Sequence, residues 1–158
     1  MKLTAFVTIS LLSVAMAFPD EKVEPPPPAP LPARILQAKT ILLSSEVGRI
    51  AYDEAYKCIR ELRRFELTGD FEKADLIFAL KPDVSVRPPR LRDIFFPYPM
   101  PSYEEYLWLI VSDAKSNLVL WSDVQLQQPA IKEKNRQKET ILAVDVLFKR
   151  LGERIPAK

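Results

Sequence analysis

The residues equipped for chemistry are mostly carboxylates. Asp70 and Asp75 flank one predicted turn, and Glu104-Glu105 stand at the head of a predicted strand. Paired carboxylates perform acid–base work or hold a divalent ion. Each also has a plainer use. Asp70 follows Gly69 as a turn former, and Asp75 is placed to cap backbone N–H groups. Trp121-Ser122-Asp123 sets a hydroxyl beside an acid, with no base to activate it. The chain contains no His, one Cys and three Gly. Those counts exclude His-based zinc sites, Ser-His-Asp and Cys-His catalysis, intramolecular disulfides and glycine-rich phosphate loops. No catalytic residue, cofactor or metal site is assigned from the sequence. Cys58 is expected as a buried, unreactive thiol on a helix face with Ala51, Ala55 and Leu62.

A second group of residues has the chemistry of contact. Arg87, Arg90 and Arg92 are followed by Phe95, Phe96, Tyr98 and Tyr103, and prolines stiffen the run from Pro88 to Pro101. Arg and aromatic side chains supply most binding hot spots, and proline lowers the ordering entropy lost on binding. The stretch from Val84 to Tyr103 is expected as a long irregular loop and as the partner-binding site. The competing expectation is that Phe95 and Phe96 cover the open side of a sheet. Arginines beside stacking aromatics also hold single-stranded nucleic acid, which gives the 87–98 stretch a further reading. The formal charge of +2, one less once Lys2 is removed, argues against that partner. The other basic clusters, Arg60, Arg63 and Arg64 and then Lys132 to Lys138, read as solvated helix surfaces.

These residues sit behind an export signal. Met1-Lys2, the apolar run from Leu3 to Val14 and the Ala15-Met16-Ala17 triplet have the layout of a secretory leader cleaved after Ala17. Residues 1–17 are therefore expected as a signal peptide and 18–33 as a proline-rich disordered tether. Pro19, Pro25 to Pro28, Pro30 and Pro32 favour extended polyproline II there. No later segment is apolar enough to span a membrane. Neither Asn117 nor Asn135 begins a glycosylation sequon, which fits a bacterial periplasm.

Residues 34–155 are expected as one α+β domain in β-α-β-β-β-β-α order. Ile35 to Leu43 reads as a buried strand. Ser44-Ser45 offers an N-cap to a helix whose apolar face runs from Val47 to Leu62, ending near Arg63-Arg64. Phe65 to Thr68 and Leu76 to Leu80 read as strands, separated by a single helical turn. Pro82 then begins a break that lasts to Tyr106. Tyr106 to Val111 and Leu118 to Leu126 make a hairpin, with Leu118, Leu120, Val124 and Leu126 on one face. A last helix buries Ile141, Val144, Phe148, Leu151 and Ile155. The pattern predicts a mixed sheet of about five strands with two helices on one face.

Two stretches carry a resemblance. One runs from Phe65-Glu66-Leu67-Thr68 to Ala74-Asp75-Leu76-Ile77. The other joins Leu109-Ile110-Val111-Ser112-Asp113 to Leu118-Val119-Leu120-Trp121-Ser122, closed by Phe148-Lys149-Arg150-Leu151. Over residues 34–154 the chain resembles a group of exported bacterial proteins without assigned chemistry, and its arrangement is similar to the N-terminal domain of TolB. It departs from that pattern at Ser116-Asn117, where Thr-Gly is expected. The resemblance implies a periplasmic, non-enzymatic role. The expected function is thus an exported, non-catalytic domain that binds a protein or cell-envelope component. The alternatives are a small carboxylate-based hydrolase or divalent-ion enzyme, and the single-strand binder.

Overall fold

The computed structural model describes residues 30–87 and 102–156. Its elements are α1 (Ala33–Gln37), β1 (Thr40–Ser45), α2 (Arg49–Leu62), β2 (Glu66–Leu67), a 3-10 turn (Phe71–Lys73), β3 (Leu76–Arg87), β4 (Ser102–Asp113), β5 (Val119–Gln127) and α3 (Glu133–Arg154). The strands form one sheet in the order β2-β1-β3-β4-β5. β1 runs parallel to β2 and to β3, while β3–β4 and β4–β5 are antiparallel. This is the expected mixed α+β sheet.

One face of the sheet makes the core. Ile41, Leu43, Leu76, Phe78, Leu80, Leu107, Leu109 and Val111 alternate along their strands and are buried. Ala51, Ala55 and Ile59 of α2, with Val144, Leu147, Phe148 and Leu151 of α3, complete it. The α3 stripe is wider than expected, since Ala143 and Leu147 join it while Ile141 and Ile155 are only half-buried. The other face carries Leu42, Ile77, Ala79, Trp108, Ile110 and Val124, which are half-buried.

Several boundaries differ from the expectations, each for a local reason. The segment expected as a strand from Ile35 opens as helix α1. Pro32 stands at its N-cap, its carbonyl accepts from Ile35 N at 2.9 Å, and the residues that follow are mostly good helix formers. Leu31 and Ile35 reach the core, so packing begins inside the stretch read as tether. Ser44 and Ser45 do not cap α2. Glu46 N instead donates to Leu80 O at 2.9 Å and extends the β1–β3 pairing, and α2 starts after Gly48. Gly48 has φ 115 and ψ −177, a conformation that favours glycine.

The largest correction is at Pro82. The two ends of the expected loop are instead strand: Pro82 to Arg87 is the second half of a twelve-residue β3, answered by a twelve-residue β4 that begins at Ser102, while the middle of the expected loop lies outside the described residues. Leu80 turns its carbonyl toward β1, and strand groups alternate sides, so the Pro82 nitrogen also faces away from β4. Proline therefore costs the β3–β4 ladder nothing. In β5 a register irregularity opposite Val111 and Ser112 breaks the expected apolar face, and Leu118 is exposed before the strand begins. Trp121 faces the helices, with the Arg154 guanidinium 5.7 Å from its ring centre.

Candidate functional site

The carboxylates singled out by sequence do not converge. Asp75 accepts from Lys39 N at 2.9 Å, Thr40 N at 3.0 Å and Thr40 Oγ1 at 3.1 Å. Those donors hold its carboxyl below the usual range, the Lys39 N–H contributing most. Its role is to latch the start of β1 to the approach of β3. Asp70 accepts from Glu72 N at 3.1 Å and pairs with Lys73 at 3.0 Å, fastening the 3-10 turn. Glu104 and Glu105 lie opposite Ser85 and Val84 at the far end of β3. Nine residues of strand separate them from Asp75, roughly 30 Å. Tyr106 donates its hydroxyl to Glu104 at 2.6 Å. Asp123 meets Arg150 at 3.5 Å on the helix-covered side of β5, while Ser122 is exposed on the other side. The arrangement offers no carboxylate pair and no serine–acid pair from these residues.

A cluster that the sequence reading missed lies between α2 and α3. Cys58 is buried as expected, and its Sγ donates to Asp145 Oδ1 at 3.4 Å. Glu54, one helical turn earlier, joins them, with a ligand atom of each within 4.8 Å of the others. Glu54 was legible at four-residue spacing on the same helix, but Asp145 is brought in by tertiary packing alone. The groove above the cluster is lined by Lys57, Glu61, Leu62, Phe148 and Lys149. Burial, followed by the Asp145 hydrogen bond, pushes the Cys58 thiol up to about 12. Lys57 holds Glu54 at 2.9 Å. The Cys58–Asp145 hydrogen bond ties the two helices together, and the Lys57–Glu54 pair stands beside it on α2.

The partner-binding residues fall at the end of the β3–β4 ribbon. Arg87 closes β3 opposite Ser102, and Tyr103 lies opposite Val86. Arg90, Arg92, Phe95, Phe96 and Tyr98 lie outside the described residues. β1 accompanies β3 only as far as Leu80, and β5 ends with Gln127 opposite Glu105. Ser85 to Arg87 and Ser102 to Glu104 therefore continue as two strands beyond the sheet. Val84, Val86 and Tyr103 share one face of this ribbon and are 59%, 62% and 58% exposed. Among the described residues they form an apolar strip with no helix over it.

The fold and ribbon define the class of molecule: an α+β domain bearing a projecting two-stranded arm. No protein-family model matches the chain. No curated protein matches it. Among solved structures it is similar to the PelC dodecamer from Paraburkholderia phytofirmans, at 12% identity and TM-score 0.45, over 81% of this chain and 94% of that one. It is also similar to a minor lipoprotein from Acinetobacter baumannii, at 10% identity and TM-score 0.40, over 74% of this chain and 90% of the other. A third likeness is to uncharacterized lipoprotein B from Nitrosomonas europaea, at 12% identity and TM-score 0.38, over 77% and 81% of the two chains. These likenesses carry no conclusion about what this chain does. Among the described residues, no helix is long and apolar enough to cross a membrane.

Proposed function

We propose that the chain is an exported, non-catalytic domain that binds a protein or cell-envelope component through the β3–β4 ribbon. In this reading the leader is removed after Ala17 and the proline-rich segment tethers the domain in a bacterial periplasm. One observation carries the binding assignment: Val84, Val86 and Tyr103 stand exposed together on strands that continue past the rest of the sheet. Two paired strands hold such side chains in fixed alternation, which limits the entropy lost on docking. The sequence places Arg90, Arg92, Phe95, Phe96 and Tyr98 between those strands, where they extend the same contact chemistry.

The separation of Asp75 from Glu104 and Glu105 supports a binding role over an enzyme built on those carboxylates. The test compares the exported protein with an Arg90→Ala/Arg92→Ala/Tyr98→Ala variant as immobilised bait for a detergent-solubilised envelope fraction. The variant is expected to lose a specific component that the wild type retains, with the melting temperature unchanged. Undiminished retention by the variant contradicts the assignment.

A further inference from the structure

Among the described residues, no strand lies along the outer edge of β3 where it leaves β1. We infer that this edge, from Asp83 to Arg87, joins antiparallel to the same edge of a second copy of this chain, making a continuous β4-β3-β3-β4 sheet across a two-fold axis at Ser85.

The backbone supplies the first argument. The Leu80 carbonyl faces the β1 side, where it accepts from Glu46 N at 2.9 Å. Groups along a strand alternate sides, so the N–H and C=O of Val84 and Val86 face that side as well. Among the described residues no strand pairs with β3 there, because β1 stops alongside Leu80. Unpaired edges of this kind are ready templates for another strand. Pro82 lacks an N–H and marks where the usable edge begins.

The choice of occupant rests on self-complementarity. Centred on Ser85, the register sets Val84 opposite the second copy's Val86, and each such pair exchanges two main-chain hydrogen bonds. It also sets Asp83 opposite the second copy's Arg87, opposite charges at both ends. The neighbouring register, centred on Val84, sets Lys81 opposite Arg87 and spends a Val86 carbonyl on Pro82, which has no donor. Charge and donor count therefore select the Ser85-centred pairing. In it the exposed Val84 and Val86 of both copies meet on one face, flanked by the Tyr103 side chains. Among the described residues, Asp83 accepts one long bond, from Trp108 Nε1 at 3.4 Å. The pairing leaves the faces of the ribbon accessible and does not depend on the envelope-binding reading.

Sedimentation equilibrium of the exported protein tests the pairing, over concentrations up to about 500 µM because so small an interface binds weakly. A monomer–dimer equilibrium is expected. Val86→Pro removes an edge donor that β4 does not use and should weaken the dimer at least about tenfold. Asp83→Arg should weaken it by about tenfold, and the double variant Asp83→Arg/Arg87→Asp should restore it by reversing the charge pair. The charge variants keep the test decisive where the proline variant fails to fold. A protein that stays monomeric throughout overturns the inference. So does a dimer that ignores both the single charge change and its reversal.

Discussion

Arg34 Nε donates to Asp113 Oδ2 at 2.7 Å across 79 residues of sequence. The contact fastens α1, the first of the described elements, to the end of β4. The other carboxylate oxygen of Asp113 accepts from Lys115 N and Ser116 N, both at 2.9 Å, and from Ser116 Oγ at 3.1 Å. One carboxylate thus organises the β4–β5 turn and ties the N-terminal helix to it. Asn117 completes the turn in a left-handed conformation, φ 56, that Asn tolerates better than most residues.

The Ser116 N–H and the Arg34 guanidinium hold the Asp113 carboxyl well below the usual range, and Asp75 is lowered by the Lys39 and Thr40 amides. A carboxyl whose folded pKa is depressed stabilises the fold fully above its unfolded value, about 4. That stabilisation is lost as the pH falls from about 4 toward the lower folded value. Denaturant titrations at pH 7 and at pH 3 should show the loss. Asp113→Asn should lower stability at pH 7 and flatten the slope below pH 4. An unchanged acid slope in the variant means that the carboxylate is not held this way.

The Cys58 thiol should resist alkylation at pH 8 and react fast only in denaturant. Its buried Sγ donates to Asp145, and its pKa stands at about 12. A thiol raised on folding stabilises the native state below its unfolded pKa, about 8.5, and less as the pH rises beyond it. Stability should therefore decline between about pH 8.5 and 11 by more in the wild type than in Cys58→Ala. Rapid labelling of the native protein runs against this placement.

How much of this was legible beforehand depends on the range of the deciding interaction. The α2 and α3 faces follow from three- and four-residue spacing, and Val144, Phe148 and Leu151 lie in the core as that spacing requires. The α1 helix was not legible, because five residues carry too little periodicity and Ile35 suits a strand equally well. Pro82 reads as the end of a strand because proline usually terminates one. Only the side to which its nitrogen points, set by pairing with β1 and β4, makes it harmless. The site splits the same way. Arg87 and Tyr103 stand out in the sequence by residue type, but their place on paired strands rather than in a loop depends on the β3–β4 register, and the Glu54–Cys58–Asp145 cluster depends on two helices meeting.

Phe148→Ala should cost about 3–5 kcal/mol. The ring is 2% exposed and its centre lies 6.2 Å from that of Phe78, where α3 meets the middle of the sheet. Chemical denaturation would read the loss directly. A melting temperature within about two degrees of wild type is incompatible with that packing.

The central claim is that the ribbon is where this domain meets another molecule. A photo-reactive phenylalanine analogue at Tyr103, compared with the same group at the fully exposed Ile131, tests it in intact cells. The account predicts a discrete adduct between the Tyr103 position and a different protein or envelope component, identified by mass, and none from Ile131. Equal labelling at the two positions, or an adduct at Tyr103 made only with a second copy of this chain, contradicts it.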